Sequence, residues 1–256
     1  MEKEIISVMK RYELKYRLTK DQVTYFKKRI LEYMKIDKYG LTSICSIYFD
    51  TPSYSLINKS IEKPKFKEKL RLRSYGIAKK DSPVFLEIKR KNEKIVYKRR
   101  IMTKEDKAYR FFLEDEEFDH NQISRELQAF KESHHHLEPK YLIIYDRIAY
   151  YQDDSDVRIT LDMNPRYRVD DLNLHTSLEG TPLLDEGEAI LEIKVQHSVP
   201  MWLVDILTKG KIYQSSFSKV GAAHKREMKN NNQKQISINH QIKEIVKGEQ
   251  RYGFVI

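Results

Sequence analysis

The chain has 256 residues, 34% of them charged and 40% hydrophobic, and its 48 Lys and Arg against 38 Asp and Glu give a formal net charge of +10. That length suits one large domain, and that balance suits a folded protein with a polyanionic partner. A single cysteine, Cys45, excludes a disulfide framework and a Cys-rich zinc site. The eight glycines form neither G-x-G-x-x-G nor G-x-x-x-x-G-K-[ST], which excludes a phosphate-cradling glycine loop.

In chain order, Met1 to Tyr16 is charged throughout and has no apolar signal region. Arg11-Tyr12-Glu13-Leu14-Lys15 reads as a strand, with Arg11, Glu13 and Lys15 on one face and Tyr12, Leu14 and Tyr16 on the other. Thr19 followed by Gln22 is a capping-box spacing, and Val23, Phe26, Ile30 and Tyr33 follow at helical intervals. Arg71-Leu72-Arg73, Glu87-Ile88-Lys89 and Lys98-Arg99-Arg100 repeat the strand design, between turns marked by Pro52, Pro64, Gly76 and Pro83. Thr103 with Asp106 opens a shorter helix carrying Ala108, Phe111 and Phe112, and a third helix is expected near 122–136 with Ile123, Leu127 and Phe130 on one face. The clearest apolar run, Tyr141-Leu142-Ile143-Ile144-Tyr145, is far shorter than the roughly 18 residues that cross a bilayer. Arg158-Ile159-Thr160-Leu161-Asp162 and Glu192-Ile193-Lys194 are two more strands of the charged design. A fourth helix starts at Ser198-Val199-Pro200 and carries Trp202, Leu203 and Ile206. The polar run Asn230-Asn231-Asn232-Gln233 divides a domain, 1–229, from a linker and tail, 230–256, in which Ile238, Ile242, Ile245 and Val246 recur at helical spacing.

An antiparallel sheet with one solvated face explains any one of the charged strands. All six together, with Arg, Lys and Glu at nearly every polar position, favour a sheet curled with its charged face inward and its apolar face covered by the helices. The expected fold is therefore α+β, an antiparallel closed β-barrel tunnel of about eight strands with amphipathic helices outside. Eight basic positions (Lys15, Arg71, Arg73, Lys89, Lys98, Arg100, Arg158, Lys194) would face four acidic ones (Glu13, Glu87, Asp162, Glu192). Enclosed cations in excess call for an anion, and an oligophosphate fits Arg forks and Lys point charges. The carboxylates beside it call for a divalent cation with oxygen ligands, Mg2+ or Mn2+.

Nine elements together carry a family resemblance: Arg11-x-Glu13-x-Lys15-Tyr16, Tyr48-Phe49-Asp50-Thr51, Lys69 to Gly76, Phe85 to Lys89, Lys98-Arg99-Arg100, Tyr145-Asp146-Arg147, Arg158 to Asp162, Leu191 to Lys194, and Ser216-Phe217-Ser218-Lys219. From about residue 9 to 225 their order and spacing resemble the VTC (vacuolar transporter chaperone) domain, of the triphosphate tunnel metalloenzyme (CYTH-like) superfamily. The resemblance implies a polyphosphate polymerase that moves the γ-phosphoryl group of ATP onto inorganic polyphosphate with Mn2+ or Mg2+. By the same resemblance, phosphate is held by Lys15, Arg71, Arg73, Lys89, Lys98, Arg100, Arg147, Arg158, Lys194 and Lys219, with Arg71, Arg73, Lys98 and Arg158 nearest the chemistry. Glu192 resembles the family's metal-binding glutamate. Glu13, Glu87 and Asp162 are candidate second ligands or orienting salt-bridge partners.

The superfamily's opening E-x-E-x-K has Arg11 as its first member here, which removes one carboxylate and weakens the case for a tripolyphosphatase or nucleoside triphosphatase. A non-catalytic polyphosphate-binding module is the other alternative. Acids share faces with the bases and no aromatic stacking motif is interleaved with them, so no nucleic-acid partner is expected. His134-His135-His136 reads as a solvated helix end and Trp202 as a helix core residue. The expected setting is the cytoplasm, with a membrane-protein partner for export compatible with this reading; no pattern in the sequence sets the oligomeric state.

Overall fold

The computed structural model describes residues 12–236 except 63, 94, 115, 119, 120 and 154, together with the strand at 7–9 and the backbone of the last helix to 252. Twelve strands form one sheet: β1 (Ser7–Met9), β2 (Tyr12–Leu18), β3 (Lys35–Ile36), β4 (Thr42–Asp50), β5 (Phe66–Tyr75), β6 (Val84–Asn92), β7 (Ile95–Thr103), β8 (Glu138–Tyr151), β9 (Arg158–Arg168), β10 (Thr181–Pro182), β11 (Ala189–Val195) and β12 (Gln214–Ser215). Six helices accompany them: α1 (Lys20–Ile30), α2 (Ser55–Ile61), α3 (Glu105–Leu113), α4 (Gln122–His134), α5 (Met201–Lys209) and α6 (Lys219–Tyr252). Neighbouring strands run antiparallel in the order β1-β7-β6-β5-β4-β8-β9-β11-β2-β12, with β3 and β10 as short additions on β8 and β9.

The capping box forms as the spacing predicts: Thr19 accepts from the Gln22 backbone N–H, and the Gln22 side chain accepts from the Thr19 backbone. The helix expected from Thr103 instead starts at Glu105, with Lys104 as its uncapped N-cap, and the fourth helix starts after Pro200. The short α2 lacks an apolar period of its own. Its orphan N–H groups at Leu56 and Ile57 are satisfied instead by Asp50, a fully buried carboxylate at the end of β4. α6 runs unbroken across the polar run at 230–233.

The alternating strands put their apolar residues on the convex face. There α3 and α4 pack Phe111, Leu127 and Phe130 on Leu70, Leu72, Leu86 and Ile88, while α1 and α5 pack Phe26, Ile30, Leu203 and Ile206 on Ile159, Leu161, Leu191 and Ile193. Two helices depart from this expected outer position. α2 and the first turns of α6 lie on the concave side against Ile44, Tyr141, Ile143 and Tyr167. At that stretch of β8 and β9 the inward positions are aromatic or aliphatic rather than charged, so they need apolar cover.

Closure is the second departure. The ladder has twelve strands where about eight are expected, and it remains open between β1 and β12 among the described residues. The sheet is nevertheless curled. β6 and β2 are six ladders apart, roughly 29 Å on a flat sheet, yet Lys89 Nζ on β6 donates to Glu13 Oε2 on β2 at 3.2 Å. Arg11, the residue that departs from the superfamily's opening motif, lies outside the described residues.

Because apolar burial is the main hold on the helices of the convex face, Phe26→Ala is expected to cost about 3–5 kcal/mol, whereas Thr19→Ala, which removes only a cap, costs about 1 kcal/mol. Urea unfolding checks both as shifts of midpoint at constant slope.

Candidate anion site on the concave face of the sheet

Side chains on one face of a strand recur every second residue, so antiparallel register sorts the concave face of β5, β6 and β7 into rows about 6.6 Å apart. Lys69 lies opposite Lys89, and Lys89 opposite Lys98; Arg71 lies opposite Glu87, and Glu87 opposite Arg100; Arg73 lies opposite Phe85. β4 adds Ser46 and Tyr48, β2 adds Glu13 and Lys15, β8 adds Tyr145 and Arg147, β9 adds Asp162, and β11 adds Glu192 and Lys194. The start of α6 completes the set with Lys219, preceded by Ser218.

Each carboxylate on this face anchors a group of cations. Glu87 is 1% exposed and takes Arg71 at 2.7 Å, Lys98 at 2.8 Å, Arg100 at 3.7 Å and Arg73 at 3.8 Å. Burial pushes its carboxyl up, but Arg71, Arg73 and Lys98 together hold it far below the usual carboxylate range. Asp162 is fully buried. It receives both arms of the Arg147 fork at 2.6 and 2.9 Å and also the Lys219 ammonium, which hold it charged against the pull of burial.

Glu13 and Glu192 share one lysine: Lys15 Nζ is 3.1 Å from Glu13 and 3.5 Å from Glu192. Lys89 also reaches Glu13, and Lys194 contacts Glu192. Burial and the proximity of Glu192 push Glu13 up, yet Lys89, Lys15 and Lys194 outweigh them and hold it at about 2. Burial likewise opposes the charge of Glu192, and Lys194 and Lys15 keep it well below its ordinary value.

Within this cluster the cations Lys15, Lys69, Arg71, Arg73, Lys89, Lys98, Arg100, Arg147, Lys194 and Lys219 outnumber the carboxylates Glu13, Glu87, Asp162 and Glu192. Burial, with repulsion between cations added to it, lowers two of these lysines. Burial, with Lys15 and Lys89 adding and Tyr48 opposing, brings the Lys69 amine down to about 8. Burial only partly offset by Glu87 brings Lys98 to about 8. Burial alone would raise the Tyr48 phenol, but Arg71, Lys69 and Arg73 bring it down to about 7.

Nearly all the sequence-expected residues converge here. Arg158 stands apart: at the first position of β9 it is exposed, and its guanidinium donates to the carbonyls of Ser155 and Val157. Three participants escape a search for charged pairs. Lys69 opens the Lys69 to Gly76 stretch, two residues before the Arg pair, and it donates to Ser218 at 3.1 Å. Tyr48 accepts from Arg71 at 3.3 Å, and Tyr145 lies under Lys219 and Arg147. The aromatic residues at these positions carry no sequence signal that distinguishes them from core. His134 closes α4 against its own Phe130 carbonyl, and Trp202 stacks on Tyr33 with ring centroids 4.7 Å apart.

Among the described residues no three His, Cys, Asp or Glu side chains group as a ready-made metal cage. The donors present do fit a hard cation that is completed by substrate. Glu13 and Glu192 are bridged by one lysine, and opposite Glu192 on β9 the Thr160 hydroxyl is buried with no hydrogen-bond partner. One or two carboxylates with phosphate oxygens and water is the usual shell of Mg2+. Glu87 and Asp162 are instead surrounded by guanidinium and ammonium groups.

No helix among the described residues is long and apolar enough to cross a membrane. Comparison with curated proteins gives no match. Among solved structures, a crystal structure from Bacillus halodurans, provisionally described as an adenylate cyclase, superposes with a TM-score of 0.54 at 13% identity over 82% of this chain and 96% of that one. A Vibrio parahaemolyticus protein with the same provisional description gives 0.46 at 12% identity over 85% and 99%. A Hippeastrum protein described as having a dominant triphosphatase activity gives 0.47 at 15% identity over 81% and 92%. At these identities the Bacillus structure bears on the fold alone. The VTC domain family matches residues 10–227, nearly all of the folded part, and the chain belongs to that family.

Proposed function

We propose that the protein is a metal-dependent polyphosphate polymerase that transfers the γ-phosphoryl group of ATP to the end of an inorganic polyphosphate chain held along the concave face. The observation that carries this reading is the row pattern on β5, β6 and β7, where cations recur about every 6.6 Å along a curled face. That is the arrangement a linear run of phosphates needs, and a compact monoanion does not. In this reading the sheet encloses a complete tunnel, and Arg158, opposite Lys194, stands at the end of it remote from Tyr75, free to swing from its backbone partners to a phosphate.

In-line phosphoryl transfer asks the protein for positioning and charge neutralisation rather than a side-chain nucleophile. Arg71 and Arg73, preset by Glu87, present guanidinium forks to the donor, while Lys69, Lys89 and Lys98 supply mobile point charges beside them. An oxygen of the terminal acceptor phosphate bonds to the γ-phosphorus, the bond from γ-phosphorus to the β,γ-bridging oxygen breaks, and ADP departs with that electron pair. A divalent cation on Glu192 and Glu13 would neutralise charge on the transferring phosphates. The acceptor is already an anion, so no base is required. Hydrolysis would benefit from a base to take a proton from water. Glu13, Glu87, Asp162 and Glu192 are all held far too acidic for that role by neighbouring cations.

Purified protein with ATP and Mn2+ is expected to form long-chain polyphosphate, visible on a gel, and Glu192→Gln is expected to abolish it while the thermal unfolding transition persists. Orthophosphate as the sole product would instead indicate a hydrolase, and tight polyphosphate binding without turnover would indicate a binding module. A second expectation concerns pH. Lys69 and Lys98 are charged below about 8 and neutral above it, so kcat/KM for ATP should fall as pH rises through about 8. Lys69→Arg and Lys98→Arg combined, which stay charged, should move that limb upward; a profile of the double variant identical to wild type would show that neither lysine sets it.

A further inference from the structure

The rows on β5, β6 and β7 change character at one end. The first holds Lys69, Lys89 and Lys98, and the second holds Arg71, Glu87 and Arg100. In the third only Arg73 is charged; Phe85 and Met102 take the other two places, and Tyr75 follows on β5. Burial changes with it: Arg73 is 6% exposed, whereas Tyr75 is 51% and Met102 52% exposed. Gly76, at a φ of +76°, turns the chain immediately after Tyr75 and leaves that ring standing at the mouth. The rings of Tyr75 and Phe85 meet edge to face, 5.8 Å apart at 74°. The Arg100 guanidinium lies 3.4 Å from the Phe85 ring centroid and 5.8 Å from that of Tyr75.

We propose that this mouth is a nucleobase subsite, in which the base of a nucleoside triphosphate stacks on Tyr75 beside the Phe85–Arg100 pair while its phosphates run inward past Arg73 and Arg71. The inference rests on the nucleotide-donor reading above and assigns that donor's polarity in the site. An inorganic polyphosphate has no use for an aromatic platform in line with cation rows, whereas a nucleoside triphosphate has this order of parts, a flat π-surface followed by charge. One row, about 6.6 Å, separates Tyr75 from Arg73, a spacing on the scale of a ribose between base and phosphate. Stacking serves any base, because every base has a π-face. The subsite therefore distinguishes nucleotide from bare triphosphate more strongly than one base from another.

Equilibrium titration of the full-length protein with a non-hydrolysable ATP analogue and with inorganic tripolyphosphate, both with Mg2+, separates the two claims. In Tyr75→Ala the affinity ratio of the analogue to tripolyphosphate is expected to fall about tenfold, with Tyr75→Trp keeping it. Guanine and cytosine analogues should bind the wild type within a few-fold of the adenine one. A ratio unaltered by Tyr75→Ala would overturn the subsite and leave the anion site standing. Failure of both ligands to bind the wild type would overturn the donor reading and the subsite with it. Because Tyr75 is half exposed, its truncation leaves the core intact, and an unfolding midpoint within error of wild type verifies this.

Discussion

Cations cannot be gathered inside a protein unless something holds them there. On this concave face four carboxylates do so, and the rest of the molecule is arranged around that necessity. Glu87 with four cations, Asp162 with a guanidinium fork and an ammonium, and the Glu13–Lys15–Glu192 bridge are the points at which strands distant in the sheet are drawn together. The Lys89–Glu13 contact joins strands six ladders apart, so the electrostatics and the curvature of the sheet are one fact. An ion pair of that kind adds little net stability once desolvation is counted. Its contribution is to fix where each cation points before an anion arrives, while the convex apolar face supplies the folding energy.

The carboxylates divide into two kinds that a strand pattern cannot distinguish. Glu87 and Asp162 are enclosed by Arg and Lys donors, which makes them fixed orienting anions. Glu13 and Glu192 are held by lysines alone, whose single mobile ammonium groups can turn to phosphate and release an oxygen for a cation. All four read alike in sequence, as acids alternating with bases. The difference lies in partners from other strands, Arg147 for Asp162 and Arg71 for Glu87, which only register supplies.

What the sequence made legible followed periodicity. The alternation of Arg71-Leu72-Arg73 and Glu87-Ile88-Lys89, the capping box at Thr19 and Gln22, and the apolar face of Ile123, Leu127 and Phe130 each depend on neighbours a few residues away, and each appears in the fold. Features depending on distant neighbours were not legible. α2 is seven residues long and starts from a left-handed Tyr54, with a cap provided by Asp50 across a turn. Lys69 and Tyr48 resemble ordinary strand positions until register sets Lys89 beside Lys69, the curl brings Lys15 near, and Ser218 arrives from the start of α6. Arg158 belongs to the charged face by alternation, but it sits at a strand end, where backbone carbonyls claim its guanidinium.

One part of the site comes from outside the sheet, and its placement rests on a separate buried contact. Ser218 precedes and Lys219 begins α6, whose position on the concave side is set five to eight residues after Lys219. His224 bridges Tyr141 and Asn58 at 3.0 Å each, and Glu227 accepts from Tyr167 at 2.6 Å. Burial lowers the His224 pKa, which favours the neutral ring that can accept from one partner while donating to the other. The helix is rigid over that distance, so the docking of His224 determines how far Lys219 reaches toward Asp162. The sheet fixes the spacing of cations along the path; α6 fixes the one cation that approaches the path from the side.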